Sequence, residues 1–449
     1  MKRAAVMLLG AMMLAPGVAL AAPNDPFYPV QWGLARIGAA RAWDVTKGSG
    51  IVVAVVDTGV DADHPDLKGR VIPGYDFVDD DDNAADGNGH GTMVAGIIAA
   101  TTGNGKGIAS VAPQAKVLPV RVLGDDGTGS SQDVARGIRY AVDRGAHVIN
   151  LSLAQDGPPG GGGLLGAGDL LRDPSVGQAI EDAARAGRVV VIAAGNDRQG
   201  GNNETAYDAT VPGSVVVGAS TPEDKRAAYS NYGQGLDLLA PGGGSRTDPS
   251  LSGCTQDNSI VSTWWDPADG KSKYGGGCGT SMSVAFVSGV AAMLRAQGKT
   301  NRQVVDRILA TADDLGATGV DAQTGAGRLN ATRSLGAPKK KAASGGGTTT
   351  TSPSSRPRAG SSVRVNSEPL LRVPDPAPGA TGSSLSPTPS EPPTRSVPSA
   401  RDRVPEAPVV AFPGVAHPQG KGWPVTFASL FISLLVLVHA ARFVRAPRA

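Results

Sequence analysis

The sequence predicts an α/β fold, with an open and mostly parallel sheet whose two faces are covered by helices. Between residues 48 and 311, short apolar runs rich in β-branched residues alternate with helical stretches. Continuous apolar runs are typical of strands buried on both faces, and a strand–helix–strand rhythm favours a parallel sheet. The expected units are strand 51–56, strand 116–122 with helix 131–143, and strand 147–151 with helix 176–185 and strand 188–193.

Glycine and proline mark the ends and interruptions of these elements. Gly145 and Gly187 each follow a helical stretch and precede a strand, which is the usual place of a helix-ending glycine. Two long stretches, Asp156–Gly168 and Gly242–Gly277, show neither helical nor strand periodicity and are expected to be irregular loops.

The N-terminal 21 residues have the order of a secretory signal peptide. Lys2 and Arg3 are followed by an apolar stretch to Leu14 and by the small-residue sequence Ala19-Leu20-Ala21. An uncleaved membrane anchor is the alternative, although the apolar run is short for a membrane span. We therefore expect residues 1–21 to be a signal peptide and residues 22–336 to form the folded domain.

The C-terminal part has a different composition. Residues 337–421 are rich in Pro, Ser, Thr and Gly and are expected to form a disordered linker. Residues 422–441 are mostly apolar and about as long as a transmembrane helix requires. Arg442, Arg445 and Arg448 lie in the short tail 442–449, and such basic residues favour the cytoplasmic side. This pattern predicts a single-pass anchor in the cell membrane, with the folded domain on the extracytoplasmic side. A cleaved sorting tail is the alternative.

Three polar residues in glycine-containing turns suggest nucleophilic catalysis. Asp57 ends a buried strand, His90 opens a helical stretch, and Ser281 opens another. A serine attacks a carbonyl only when an imidazole takes its proton and a carboxylate orients that imidazole. Each residue alone has a plain alternative as a turn residue, but all three on suitable elements predict an Asp–His–Ser triad.

The motifs around these residues resemble those of the subtilisin-like serine peptidases, and within that family those of the thermitases. The resemblance covers residues 24 to 335 and implies the fold of that family. It rests on segments 24–28, 31–43, 56–60, 64–67, 88–92, 193–196 and 279–282. It implies that Asp57, His90 and Ser281 are catalytic and that the Asn196 side chain joins the backbone N–H of Ser281 in an oxyanion hole. A strand-end turn residue is the alternative for Asn196.

The same resemblance implies two edges that bind an extended peptide. They are Gly127-Thr128-Gly129 and Ser152-Leu153-Ala154, which would pair with the substrate backbone. The family usually has glycine where Ala154 stands, so the resemblance does not determine how deep the primary pocket is. The segment Ser283–Phe286 also departs from the family pattern after the serine, and we interpret this as different helix packing.

Two sets of oxygen ligands suggest calcium. The resemblance implies that Asp25, Asp66 and Asn104 bind through side chains, and that Thr101, Lys106 and Ile108 bind through carbonyl oxygens. Asp76, Asp79 and Asp81 form a second set, for which a solvated acidic loop is the alternative. The family needs no organic cofactor.

The chain has two cysteines, Cys254 and Cys278. In an exported protein an isolated pair is usually a disulfide, with two free thiols as the alternative. The bridge would support the turn before Ser281.

We therefore expect an exported, membrane-anchored serine endopeptidase that cleaves proteins or peptides. The layout of signal, peptidase domain, linker and terminal helix is similar to that of the mycosins. The net charge of +2 does not indicate nucleic-acid binding. The catalytic domain is expected to be monomeric. The competing hypothesis is a catalytically silent module that binds extended peptides on the same fold.

Overall fold

The computed structural model describes residues 22–153, 173–196, 211–248 and 254–337. The predicted signal peptide, the linker beyond residue 337, the predicted membrane span, the basic tail, Ala154 and the predicted loop 156–168 lie outside these ranges. Within the described ranges, no helix has the length and the apolar character needed to cross a bilayer.

Seven strands form one sheet in the order β2-β3-β1-β4-β5-β6-β7. Every pair of neighbouring strands is parallel, so the predicted parallel sheet is confirmed. The strands are β1 Val52–Asp57, β2 Tyr75–Asp76, β3 Lys116–Arg121, β4 Val148–Leu151, β5 Val189–Ala193, β6 Ser214–Ser220 and β7 Leu238–Pro241.

The two helices whose bounds the sequence predicts, 131–143 and 176–185, are both present among the helices that flank the sheet. The flanking helices are α1 Trp32–Ile37, α2 Ala39–Ala42, α3 His90–Ala99, α4 Ser131–Asp143, α5 Pro174–Arg185, α6 Thr280–Ala296, α7 Asn301–Ala310 and α8 Ala331–Ser334. Helix α4 has its predicted bounds, and the Ser130 side chain accepts a hydrogen bond from the N–H of Asp133 at its start. Helix α5 begins two residues earlier than predicted, because Asp173 caps it and Pro174 occupies the first helical position.

Strand β1 shows how one sheet separates two hydrophobic layers. Val53 and Val55 belong to the layer that contains α3 and α6, whereas Ala54 and Val56 belong to the layer that contains α4 and α5. Successive side chains of a strand point to opposite faces, so a wholly apolar strand contributes to both layers. Helix α6 is buried from Thr280 to Leu294 and therefore runs through the core.

An antiparallel hairpin stands apart from the main sheet, in a segment for which the sequence predicts an irregular loop. Strand β8, Ile260–Asp266, pairs with β9, Lys271–Gly277. The prediction for Gly242–Gly277 is therefore wrong over this part. Strand β9 ends in three glycines, which have low strand propensity and conceal the alternation that would indicate a strand. Gly96 of α3 lets the hairpin approach closely, since a Cβ there would overlap the side chains of Ser262 and Thr263.

The carboxyl ends of three adjacent strands bring the predicted site together. Strand β1 ends at Asp57, β4 leads to Ser152, and β5 leads to Asn196. These strands are neighbours in the order β1-β4-β5, and ligand sites of open parallel sheets lie at this edge.

Candidate active site

Asp57 and His90 form a buried acid–imidazole pair. The Nδ1 atom of His90 lies 2.7 Å from Oδ1 of Asp57, and the carboxylate is fully buried. The N–H of Thr58 donates to the same oxygen at 2.8 Å. His90 is the first residue of α3, and Gly89 before it has a φ of +106°, which favours glycine. The two predicted residues are thus in direct contact, as an orienting acid and a base would have to be.

A second buried acid, Asp86, links the turns that carry this pair, and the sequence analysis did not identify it. Its carboxylate accepts hydrogen bonds from the backbone N–H groups of Asn88, Gly89 and Thr92 at 2.8–2.9 Å. It also accepts from the hydroxyls of Thr58 and Thr92. Burial raises the pKa of Asp86 above its usual value, although these hydrogen bonds oppose the change. An acid four residues before the start of a helix is the signal that could have identified it.

Ser281 lies in the first turn of α6 and is held by contacts with the end of β4. Its Oγ donates to the carbonyl of Ser152 at 3.1 Å, and Oγ of Ser152 donates to the carbonyl of Ser281 at 2.9 Å. The side chain of Asn150 in turn donates to Oγ of Ser152 at 2.9 Å. The predicted nucleophile therefore sits against the predicted substrate edge, at a helix end where backbone N–H groups have no partner within the helix.

The amide of Asn196 is oriented by the residue before the nucleophile. Its Oδ1 accepts from the backbone N–H of Thr280 at 2.9 Å and from the Thr280 hydroxyl at 3.0 Å. Because both contacts use the oxygen, the Nδ2 group is left to donate elsewhere. This orientation suits a donor to an oxyanion.

The two predicted substrate edges lie on either side of β1, because the strand order is β3-β1-β4. Ser152 and Leu153 directly follow β4, and Ala154 lies outside the described residues. Gly127-Thr128-Gly129 is not a strand but an irregular segment after β3, in which the N–H of Gly124 donates to the carbonyl of Thr128 at 2.7 Å.

The first predicted calcium set is assembled around two buried acids. The carboxylate of Asp25 accepts from the N–H groups of Gly103 and Asn104 at 2.8–3.1 Å, while Asp66 accepts from Nδ2 of Asn104 at 2.8 Å. The N–H of Ile108 donates to the other oxygen of Asp66 at 2.9 Å. Burial and the charge of Asp66 raise the pKa of Asp25 above its usual value.

This first set fits a hard cation. The buried carboxylates of Asp25 and Asp66 lie close together. The N–H of Thr101 donates to the carbonyl of Asp66, and the N–H of Lys106 donates to Oδ1 of Asn104, so the backbone of both residues lies beside this pair. Nowhere in the described part of the chain do three His, Cys, Asp or Glu side chains come close enough to hold a metal ion. A cation here would therefore need amide and carbonyl oxygens as well, which Ca²⁺ accepts.

The second predicted calcium set does not fit in this arrangement. The guanidinium of Arg121 contacts the carboxylates of both Asp76 and Asp79, and its other nitrogen lies 2.9 Å from Asp125. Oδ1 of Asp81 accepts from the N–H of Asn83 at 2.8 Å. The guanidinium of Arg121 thus lies between Asp76 and Asp79, two of the three expected ligands.

The two cysteines are bonded to each other. Cys254 and Cys278 form a disulfide with their Cα atoms 5.9 Å apart, which confirms the predicted bridge and excludes two free thiols. Cys278 is three residues before Ser281, and the N–H of Gly279 between them donates to the carbonyl of Gly242 at 2.9 Å. The bridge therefore supports the nucleophile turn.

Comparison with known proteins identifies the family of this chain. The model of the subtilase family, peptidase S8, matches residues 48–327. Thermitase of Thermoactinomyces vulgaris is 40% identical over 314 residues, which are 70% of this chain and 99% of thermitase. Subtilisin BL of Lederbergia lenta is 36% identical over 305 residues, which are 67% of this chain and 97% of that protein.

A solved structure shows the same relationship. A protease from Pseudoalteromonas arctica PAMC 21717 has a TM-score of 0.59 and 32% sequence identity, with 71% of this chain and 99% of that chain covered. On the matched segment and on the identity to thermitase over nearly its whole length, the chain belongs to the subtilase family and is a serine endopeptidase.

Proposed function

We propose that this protein cleaves peptide bonds with Asp57, His90 and Ser281 as its catalytic triad. The observation that carries the proposal is the 2.7 Å contact between Nδ1 of His90 and the fully buried carboxylate of Asp57. This contact fixes the tautomer in which Nδ1 carries the hydrogen and the lone pair that accepts a proton is on Nε2.

In the first step, Oγ of Ser281 turns from the carbonyl of Ser152 towards His90 and attacks the substrate carbonyl. His90 takes the hydroxyl proton, and Asp57 stabilises the imidazolium that results. The C–N bond then breaks as His90 returns this proton to the departing amine, which leaves an ester on Ser281. Water attacks that ester with His90 again acting as base, which releases the acid and restores the hydroxyl.

The negative charge on the tetrahedral intermediate needs donors that are already in place. We assign this role to Nδ2 of Asn196 and to the backbone N–H of Ser281. Thr280 holds the amide oxygen of Asn196, so the amide does not have to reorient during the reaction. Such preorganised donors act strongly where water is excluded.

A fluorophosphonate probe tests the triad directly, because it forms a covalent bond only with an activated serine. We expect labelling of the wild-type protein and none of Ser281→Ala. The competing hypothesis, a silent peptide-binding module, predicts that correctly folded wild-type protein is not labelled either.

We propose further that Asp25, Asp66 and Asn104 hold a structural calcium ion, with carbonyl oxygens of Thr101, Lys106 and Ile108. When bound, the ion would neutralise two buried carboxylates and tie the segment around Asp25 to the domain. Asp76, Asp79 and Asp81 are not included, because Arg121 already occupies that carboxylate pair.

Calcium at 100 times its dissociation constant is expected to stabilise the fold by about 2.7 kcal/mol if it binds only the folded state. Chelation should therefore lower the melting temperature of the Ser281→Ala protein, which cannot digest itself. Asp66→Ala should remove this response, whereas Asp79→Ala should retain it. Identical melting temperatures with and without chelator in the Ser281→Ala protein, whether or not it also carries Asp66→Ala, would contradict the site.

We propose that residues 1–21 direct export and that residues 422–441 anchor the protease in the cell membrane with its catalytic domain outside. The support is the apolar composition of the segment and the arginines that follow it.

Removing residues 422–449 is expected to move the protein from the membrane fraction to the medium, because these residues contain the proposed anchor. Fractionation of cells that express the full chain and the truncated chain would show this. Both should carry Ser281→Ala, which prevents release by self-cleavage. The anchor is refuted if the full-length chain is found intact in the medium.

A further inference from the structure

Two fully buried polar side chains, Asn150 and Ser288, take no part in the proposed reaction. Asn150 is the third residue of β4, and Ser288 lies in the middle of α6. Asn150 stands in register with Val55 of β1 and Val191 of β5, which are equally buried. Burying a polar group among apolar side chains is costly unless the group is hydrogen-bonded. Asn150 therefore depends on partners within the core.

A chain of hydrogen bonds connects these two residues to the nucleophile. Oγ of Ser288 donates to Oδ1 of Asn150 at 2.9 Å, and Nδ2 of Asn150 donates to Oγ of Ser152 at 2.9 Å. Because Oγ of Ser152 accepts from Asn150, its own hydrogen is available for the carbonyl oxygen of Ser281, which lies 2.9 Å away. Three successive hydrogen bonds thus link the middle of α6 to the residue that carries the nucleophile.

The spacing of these four residues is that of a strand lying against a helix. Asn150 and Ser152 are two positions apart at the end of β4, so their side chains point to the same face of the sheet. Ser281 and Ser288 are seven positions apart, which is about two helical turns, so they lie on the same face of α6. A shift of α6 along β4, or a rotation about its axis, would break the hydrogen bonds at both positions.

The apolar contacts between α6 and the sheet are less specific. Val284 and Ala292, one turn before and one turn after Ser288, are fully buried and belong to the hydrophobic layer between α6 and the sheet. Hydrophobic burial is non-directional, so it holds the helix on the sheet without setting how far the helix is shifted along it. A hydrogen bond requires a defined distance and angle, so the contact between Asn150 and Ser288 adds this constraint.

We infer that Asn150 and Ser288 are positioning residues, which fix the register of α6 on β4 and thereby the place of the Ser281 hydroxyl and backbone N–H. The inference rests on the proposed triad. A displaced Ser281 would be misaligned both with His90 and with the carbonyl that it attacks. Misplacement of a reacting group by about 1 Å can lower the rate by about 10²-fold.

A paired apolar replacement separates positioning from stability. In Asn150→Leu/Ser288→Ala both partners become apolar, and leucine keeps the branch at Cγ, so neither residue leaves the other unpaired. In the Ser281→Ala background we expect these changes to leave the melting temperature equal or higher. In the active enzyme we expect kcat per folded molecule to fall about 10- to 100-fold, with KM changed by less than about twofold, because the peptide-binding edges stay in place.

Ser288→Ala alone is the second variant, and it serves if the double replacement does not fold. It removes the first hydrogen bond of the chain and leaves the amide of Asn150 without that donor. We expect kcat to fall about three- to tenfold, in line with the loss of a single buried hydrogen bond.

Ser334→Ala is the matched control. Ser334 is also buried, and its Oγ lies 2.8 Å from Oγ1 of Thr311, so the variant loses a side-chain hydrogen bond of the same kind. The next residue, Leu335, accepts from the side chain of Gln297, which follows the end of α6 opposite Ser281. This variant is expected to be less stable but to keep the wild-type kcat.

An unchanged kcat in the folded double variant and in Ser288→Ala, or an equal loss in Ser334→Ala, would overturn the inference. Wild-type protein that folds but cleaves no peptide would instead overturn the proposed triad.

Discussion

Replacing Asp57 by asparagine is expected to lower kcat by about 10⁴-fold while leaving the domain folded. These magnitudes come from serine proteases with the same triad, one of them a subtilisin and hence a relative. Asp57 is fully buried, so its charge acts on His90 with little screening. The amide carries no charge and cannot stabilise the imidazolium that forms when His90 takes the proton.

The contacts of Asp57 suit neither of the two orientations that an asparagine amide could adopt at this position. Oδ1 accepts from both Thr58 and His90, whereas Oδ2 is buried with no hydrogen-bond partner among the described residues. If the amide nitrogen replaces Oδ2, it is buried without an acceptor. If it replaces Oδ1, it faces Nδ1 of His90 and favours the wrong tautomer.

Peptide cleavage per correctly folded molecule measures this effect, with circular dichroism and the melting temperature as the check on folding. Asp63→Asn is the control, because that acid is nearby in sequence but its side chain is 90% exposed. Cleavage near the wild-type rate by Asp57→Asn would show that another acid orients His90.

Replacing Asn196 by alanine should lower kcat by about 10²–10³-fold with little change in KM. This range was established on a subtilisin, so it is taken from a relative. Losing Nδ2 removes a donor that acts on the charge of the tetrahedral intermediate, which the bound substrate does not yet carry.

Alanine also removes the amide oxygen that contacts Thr280, and a second variant separates the two effects. Thr280→Val keeps the donor of Asn196 but loses the 3.0 Å contact that orients it. We expect this variant to lose at most about tenfold in kcat, which corresponds to the free energy that a single hydrogen bond contributes. Equal losses in both variants would mean that Asn196 acts by holding the nucleophile turn rather than by binding the oxyanion.

Sequence reasoning succeeded where local chemistry and the fold agree. The buried strand ending at Asp57 and the bounds of α4 follow from apolar runs and a capping serine, which are local signals. The sequence could not reveal that Arg121 contacts Asp76 and Asp79, because this contact depends on β2 lying beside β3. The hairpin was missed for a related reason. Its glycine-rich second strand is stabilised by pairing and by packing on α3, neither of which has a local signature.

Asp86 shows the same limit within the site. Its five hydrogen bonds come from Thr58, from the turn at Asn88 and Gly89, and from Thr92, and of these only Thr58 is distant in the sequence. The proposed triad could be predicted from the sequence because the motifs around it are specific. The acid that joins its two turns has only the general signal of an acid before a helix, and its contact with Thr58 became visible only when the turns were placed side by side.

The burial of helix α6 has a consequence for how activity is acquired during folding. A helix that is buried from Thr280 to Leu294 is stabilised by the layers around it rather than by its own sequence. Ser281 lies on its first turn, so the nucleophile is held in place only once the sheet and α3 have closed around the helix. We therefore expect a partly folded chain to be inactive, because the acquisition of activity depends on the packing of this one helix.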